Sequence, residues 1–279
     1  PANDVRRSTM PSTRFDIFRY QPDVSDEYYR QEFSLEHTED ATLLDAILDL
    51  QNTQDPEPEL VLHGASVAVK TAADRLALTL HALIDHGATD LTVINNNTGN
   101  GEVGLAALIG NGQVRKMICS FPRSSQSKVF PKLYREGRIE LEVVPQGTLA
   151  ERIRAAGAGI PAFFTPTAVG TVLAEGKESR EFDGRQYLME RWLKADFALI
   201  KCEVADPLGN LTYNKTARNF SPLMCMAATT TIAQTRKLVA RGGIDPEHVV
   251  TPGIFVNRVV EVPQPIHEDV LIAEGRSYP

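Results

Sequence analysis

Cysteine is scarce in this chain. Cys119, Cys202 and Cys225 are its only three, too far apart for a CxxC pair and too few for a disulfide framework, so a reducing compartment is expected. Basic charge is also in deficit, with 29 Lys and Arg against 36 Asp and Glu and a formal net charge of −7. With the basic residues scattered, no positive field is left to track a nucleic acid backbone. No run of about 18 apolar residues occurs, and no basic segment followed by an apolar one opens the sequence, so neither a membrane span nor a secretory signal is expected. The six histidines are dispersed and none makes a metal-ligand spacing with a Cys, Asp or Glu, so no metal site is expected. Tryptophan occurs once, at Trp192, and belongs in a core or a subunit contact. Internal repeats and low-complexity stretches are missing too.

What remains is a hydrophobic fraction of 42% over 279 residues, ample for a substantial core. Residues 1–59 read as a polar leader, 1–13, and a short β-rich appendage. Two runs with β character, 14–20 and 31–37, are separated by a Pro, Asp and Ser stretch that suits a hairpin connection. Residues 41–51 space Leu43, Leu44, Ile47 and Leu48 as a helix does. An acidic, proline-bearing stretch at 55–59 reads as a linker. From 60 to 262 apolar runs alternate with amphipathic segments, the pattern of an α/β domain with a mostly parallel sheet and helices on both faces. Expected strands lie at 65–69, 91–94, 116–120, 140–144 and 197–203, the last buried on both faces, and expected helices begin at 105 and 148. Residues 263–279 read as a C-terminal tail or an exposed terminal element.

Two segments carry the chemistry. At 95–104 the run NNNTGNGEVG leaves a strand and enters a helix, with Gly99, Gly101 and Gly104 spelling GxGxxG. Such a turn can bring backbone amides to a pyrophosphate. The acidic residue that would hold a ribose is missing from the end of the next strand, which reads Cys119-Ser120-Phe121-Pro122-Arg123. Arg123 there keeps an NADP-dependent oxidoreductase as one alternative, while the plainer reading is a tight turn whose glycines serve sterics. Glu102 in this turn complements a helix N-terminus more naturally than it serves as a nucleophile. The second segment runs from Val144-Pro145-Gln146-Gly147-Thr148 to 157–171, where a strand expected to be buried ends in Thr165-Pro166-Thr167. Its hydroxyls and glycine amides would stand at a sheet's C-terminal edge, where ligands of open α/β sheets bind.

The runs DLTVINNNTGNGEVGLAALI, VRKMICSFPR, IELEVVPQGTLAERIRAAGAGIPAFFTPT and DFALIK, followed by GNLTY, ARNF and TPGIFV, resemble in this order the A subunits of class I coenzyme A transferases. The resemblance spans residues 64–262, and CSFPR inclines it toward the 3-oxoadipate branch over the acetoacetate branch. It implies a ping-pong exchange of CoA between succinyl-CoA and a 3-oxoacid through an enzyme–CoA thioester. The glutamate nucleophile would lie in a Ser-Glu-Asn-Gly stretch of a partner B subunit. That tetrapeptide does not occur here, so the resemblance implies no catalytic residue on this chain, no metal, no cofactor beyond CoA as substrate, and an A2B2 assembly in the cytoplasm. Gln146 is implied to line the acyl pocket. The family's asparagine pair maps to Asn96 and Asn97, or to Asn95 and Asn96. Gly99, Thr165, Thr167 and Gly170 complete the implied substrate and CoA contacts, with Ala168 where glycine is expected. A glycine-rich loop of the family falls at 70–80, where this chain has KTAADRLALTL, and side chains there obstruct the backbone approach that glycine permits. That departure motivates a further alternative, a non-catalytic module of the same fold binding an acyl or sugar-phosphate effector. Residues 14–58 resemble instead the opening of a succinate dehydrogenase iron–sulfur subunit, but no Cys precedes Cys119 to ligate a cluster.

Overall fold

The computed structural model describes residues 12–19, 29–36, 66–69, 77–124, 126–262 and 268–275. Two compact units divide the chain, Pro1–Leu60 and Val61–Pro279. In the first, strands β1 (Ser12–Arg19) and β2 (Tyr29–Glu36) pair antiparallel with Phe15 opposite Phe33, close to the hairpin read at 14–20 and 31–37. The helix expected at 41–51 and the linker at 55–59 lie outside the described residues.

In the second unit β3 (Ser66–Val69), β4 (Leu91–Ile94), β5 (Val114–Cys119) and β6 (Glu140–Val143) alternate with helices Ala77–His86, Gly104–Gly110 and Val129–Arg135. After helix Gln146–Gly157 come β7 (Ala162–Thr165), β8 (Ser179–Phe182), β9 (Arg185–Arg191) and β10 (Ala195–Lys201). The short strands β11 (Val204–Ala205) and β12 (Leu211–Thr212) follow, then helix Ser221–Ala227, β13 (Ala228–Thr235), β14 (Lys237–Leu238), β15 (Arg258–Glu261) and helix Glu268–Ala273.

Seven strands form one sheet in the order β15-β13-β10-β3-β4-β5-β6, every pairing parallel. The chain winds outward from β3 to β6, returns across β3, and winds the other way through β10, β13 and β15. The topological switch therefore falls between β3 and β10, and right-handed crossovers send the two sets of helices to opposite faces. Packing follows this division. Helix Gly104–Gly110 contacts Ala77–His86 and Val129–Arg135, whereas Gln146–Gly157 packs on Ser221–Ala227, which covers β10 and β13. Gly157 permits that approach, because a Cβ there would lie 2.5 Å from the Cβ of Met226. Between this helix pair and the sheet sit Leu149, Ile153, Met224, Cys225, Ala198 and Ile200, all buried. Between the outer helices and the sheet, buried Gln113 donates to the carbonyls of Leu83, Ile84 and Ala88 at 3.0 to 3.3 Å, satisfying acceptors that the end of helix Ala77–His86 leaves open.

His81 lies on that helix, 6% exposed, and burial drives its pKa down from 6.5 to about 4 against the opposing pull of Asp85. Above pH 6.5 both states hold the ring neutral. Between 6.5 and about 4 the unfolded chain takes up a proton that the folded chain refuses, so stability falls as pH drops through this window. Urea unfolding at pH 7.5 and pH 5 is expected to differ by about 2 kcal/mol from this group, and His81→Gln should narrow the difference.

Two short runs far apart in sequence dock edge to edge. Leu211 and Thr251 exchange backbone hydrogen bonds (Leu211 N to Thr251 O 2.9 Å, Thr251 N to Leu211 O 3.2 Å). Thr251 Oγ1 lies 2.7 Å from the Tyr213 hydroxyl, and Asn210 Oδ1 accepts from the Gly253 amide at 3.0 Å. GNLTY and TPGIFV are thus one structural element.

One expectation is corrected. The strand ending at Thr165 is not buried in the main sheet. β7 is half-buried and pairs antiparallel with β9 in a separate sheet of order β7-β9-β8. There Phe164 packs edge-on against Phe182, which meets Tyr187 the same way, so its aromatic side chain finds partners within the small sheet. Within 263–279, helix Glu268–Ala273 has Leu271 buried and Val270 exposed, and Ile272 lies so close to Gly101 that a Cβ on the glycine would meet its Cγ1 at 2.9 Å.

Candidate functional site

Three neighbouring strands end in polar residues at the C-terminal edge of the main sheet. β4 runs into Asn95, Asn96 and Asn97, β5 into Ser120, and β6 into Val144, Pro145 and Gln146. Pro145 has no amide to continue the ladder and becomes the N-cap of helix Gln146–Gly157, with φ −52° and ψ 138°. Gln146 is therefore the first helical residue, not a turn residue. The first helical bond runs from the Leu149 amide to the Pro145 carbonyl at 2.8 Å, so the preceding amides have no intrahelical partner and leave a partial positive charge at this edge.

The asparagines divide the work. Asn95 is fully buried and its Nδ2 donates to Asn97 O at 2.8 Å and to Asn97 Oδ1 at 3.2 Å. Asn97 Oδ1 also accepts from the Gly99 amide at 3.0 Å. Both side chains thus brace the turn. Asn96 points elsewhere. Its Oδ1 accepts from Gln146 Nε2 at 2.8 Å and from Ser120 Oγ at 2.6 Å. Asn96 and Gln146, fifty positions apart, are expected site residues that the fold brings into contact from separate segments of the chain, and Gln146 is exposed.

The glycine-rich turn is closed by the protein itself. The Gly99 amide goes to Asn97, the Gly101 amide goes to Gln126 O at 3.1 Å, and a Cβ at Gly99, where φ is +79°, would come within 2.6 Å of the Ala106 amide nitrogen. Thr98 Oγ1 donates to Pro122 O, and Ser127 Oγ donates to Gly99 O, both at 2.8 Å. Amides spent in this way cannot cradle a pyrophosphate, and the glycines serve close packing of the turn on its own helix. Arg123 and Glu102 are exposed beside it.

Thr165, Thr167 and Gly170 follow β7 and so belong to the other sheet. Thr165 Oγ1 donates to Thr167 Oγ1 at 3.1 Å and accepts from the Thr167 amide at 3.3 Å, so these contacts are local to the loop. Gly170, at φ +76°, has open space where a Cβ would stand. Ala168 has φ +69°, the left-handed region that glycine occupies without strain, which explains physically why glycine is the expected residue there. Residues 70–76, most of the altered loop at 70–80, lie outside the described residues, and helix Ala77–His86 begins within its last positions.

Beneath Gln146, Glu142 on β6 binds Arg152 Nη1 at 2.8 Å and Lys116 Nζ at 2.6 Å. Burial alone would raise this carboxyl, but the two cations outweigh it and hold it below the usual range. Arg152 Nε donates to Arg191 O at 2.9 Å, tying the helix to β9. Thr148, two residues after Gln146, is 4% exposed and its Oγ1 has no hydrogen-bond partner among the described residues. An unsatisfied buried hydroxyl opposes folding, so Thr148→Val is expected to raise stability by about 1 kcal/mol, seen as a higher urea midpoint at unchanged slope. Burial pushes the thiols of Cys119, Cys202 and Cys225 up to about 12, so none is a nucleophile at neutral pH. Among the described residues no group of three His, Cys, Asp or Glu side chains is placed to hold a metal, and no helix is long and apolar enough to cross a membrane.

The arrangement presents side-chain amides at the positive end of a helix, donors suited to an oxygen that gains negative charge. Sequence reasoning missed Ser120, although the polar residue ending β5 between two flagged strand ends was a usable signal.

Comparison with known proteins gives this edge a context. Residues 64–262 match the family model for coenzyme A transferase, which leaves residues 14–58 outside the match. The chain is 65% identical over 183 residues to the A subunit of 3-oxoadipate CoA-transferase from Pseudomonas putida, covering 66% of this chain and 79% of that protein. It is 52% identical over 179 residues to the A subunit of succinyl-CoA:3-ketoacid coenzyme A transferase from Xanthomonas campestris pv. campestris (strain B100), covering 64% and 73%. Among solved structures, the acyl-CoA transferase of E. coli O157:H7 in a thioester complex with CoA superposes with a TM-score of 0.62 at 22% identity, over 72% of this chain and 44% of that one. The chain belongs to the coenzyme A transferase family.

Proposed function

We propose that this chain is the A subunit of a CoA transferase that moves CoA between succinyl-CoA and a 3-oxoacid, 3-oxoadipate first and acetoacetate second. The single observation that carries the reading is the amide pair of Asn96 and Gln146 at the start of helix Gln146–Gly157, in a chain 65% identical to the A subunit of a 3-oxoadipate CoA-transferase.

In this reading a glutamate on a partner B subunit first attacks the thioester carbonyl of succinyl-CoA. CoA thiolate leaves and a mixed anhydride of succinate and the glutamyl side chain forms. The thiolate then attacks the glutamyl carbonyl, breaking the anhydride, releasing succinate and leaving CoA on the enzyme as a thioester. The 3-oxoacid carboxylate enters by the same steps in reverse. At each addition a carbonyl oxygen becomes an oxyanion, and N–H donors already fixed in place lower that barrier without reorganising. Gln146 and Asn96 supply such donors. Asn97 and Gly99 shape the turn beside them, and Thr165, Thr167 and Gly170 line the CoA side. CoA is a substrate, no resident cofactor is required, and the working assembly is a cytoplasmic A2B2 tetramer.

The test is co-expression with a candidate B subunit, followed by measurement of thioester exchange from succinyl-CoA to 3-oxoadipate and to acetoacetate. Exchange requiring both chains, with 3-oxoadipate the better acceptor, is expected. A verified complex that exchanges neither would overturn the reading.

A further inference from the structure

The chain that follows β5 leaves the sheet but stays beside the site. The Phe121 amide donates to Asn96 O at 2.9 Å, and Phe121 forms a parallel bridge with Asn97. Thr98 Oγ1 donates to Pro122 O at 2.8 Å, and Ser124 Oγ donates to Asn100 Oδ1 at 2.6 Å. These contacts lay residues 121–124 along residues 96–100 at the C-terminal edge. Pro122 stiffens the stretch further, because its ring fixes φ and disfavours a helical Phe121. Arg123 sits within this clamped segment. It is exposed, and among the described residues it has no ion-pair or hydrogen-bond partner. The hydroxyls around it, those of Thr98, Ser120, Ser124 and Ser127, are all spent on the protein. The Arg123 guanidinium is a cation left unspent beside the Asn96–Gln146 pair.

The proposed acceptor supplies the complementary charge. One carboxylate of 3-oxoadipate enters the exchange, while the other, at the far end of a six-carbon chain, does not react and stays ionised. Acetoacetate has no second carboxylate. Three residues of chain put Arg123 at most about 11 Å beyond Ser120, a gap that the length of the dicarboxylate and an arginine side chain together span. A guanidinium grips a carboxylate through two parallel N–H donors, which gives direction as well as charge. From this placement we infer that Arg123 is a specificity-determining residue that binds the distal, non-reacting carboxylate of 3-oxoadipate. The inference rests on the proposed acyl-transfer reading of this edge and names the group there that selects the acceptor.

The experiment uses the chain assembled with its B subunit and compares 3-oxoadipate with 3-oxohexanoate, which has the same six carbons and a methyl group in place of the distal carboxylate. In a ping-pong exchange kcat/KM for the acceptor reports only the half-reaction that the acceptor enters, so the succinyl-CoA half does not obscure the comparison. Arg123→Gln is expected to lower kcat/KM for 3-oxoadipate about 10- to 30-fold, the loss of hydrogen bonds to a charged group, and that for 3-oxohexanoate by less than about threefold. Arg123→Lys, which keeps the charge without the planar fork, should fall between wild type and Arg123→Gln. A residue that only supported the local fold would lower both acceptors alike. Equal losses with the two acceptors, or an Arg123→Gln value for 3-oxoadipate within about threefold of wild type, would overturn the inference. A verified wild-type complex that exchanges CoA with neither acceptor defeats the acyl-transfer reading itself, whereas a wild type that uses both equally well defeats only the role of Arg123.

Discussion

Replacing Gln146 with alanine is expected to lower kcat for thioester exchange about 100-fold in the assembled enzyme while leaving the fold intact. The size follows from the loss of one donor to a developing oxyanion, which typically costs two to three orders of magnitude. The selectivity follows from position. Gln146 is exposed and its one side-chain hydrogen bond among the described residues goes to Asn96, so its removal should change stability by no more than about 0.5 kcal/mol. Gln146→Glu sharpens the comparison. A carboxylate in the first turn complements the helix dipole and should hold or raise stability by a few tenths of a kcal/mol, yet it offers no N–H and repels an oxyanion. Activity lost with stability retained in both variants supports a role in the chemistry. Retained activity in Gln146→Ala, measured as kcat in a verified complex, would remove Gln146 from the site.

The second large effect is structural. Gly253→Ala is expected to destabilise the α/β unit by about 3 kcal/mol or more, lowering the melting temperature by about 6 °C or more for a unit of this size. A Cβ on Gly253 would overlap the carbonyl oxygen of Leu208 and stand 2.8 Å from its carbon. That carbonyl cannot retreat easily. Asp206 Oδ1 accepts from the amides of Leu208 at 3.0 Å and Asn210 at 2.9 Å, its Oδ2 accepts from Asn210 Nδ2 at 2.9 Å, and Asn210 in turn receives the Gly253 amide. Either the turn breaks or the TPGIFV segment lifts away from it. Gly242→Ala is the control. Gly242, unlike Gly253, has positive φ, +77°, and nothing among the described residues lies within 4 Å of its Cβ position, so only the conformational penalty of about 1 kcal/mol applies. Differential scanning calorimetry separates the two. Equal shifts would show that crowding at Gly253 is relieved without cost.

Much of this molecule is legible without coordinates, for reasons that are local. A strand such as β10, apolar and buried on both faces across 197–200, announces a central parallel position because only a sheet covered on both sides can bury it. Pro145 ahead of Gln146 and the glycines of the 95–104 turn mark where strands must stop and helices begin, since proline cannot extend a ladder and glycine alone accepts the left-handed turn. The expected strands and helices of the α/β unit accordingly lie within a few residues of the observed ones. The Thr165 strand escaped because a run containing two phenylalanines reads as core whichever sheet covers it. Its aromatic partner Phe182, which in turn meets Tyr187, comes from a hairpin that was not anticipated.

From its sequence alone, then, the chain determined its alternating α/β order, the glycine positions that let its turns close, and a family resemblance carried by ordered motifs. Only the tertiary structure decided which asparagine faces Gln146, that Asn95 and Asn97 are spent on the turn, and that Ser120 joins the pair. The reason is geometric: residues 96, 120 and 146 meet because β4, β5 and β6 are neighbours in a parallel sheet. Parallel neighbours are set by crossover topology, and no spacing along the chain encodes which side chains their ends bring within hydrogen-bond reach.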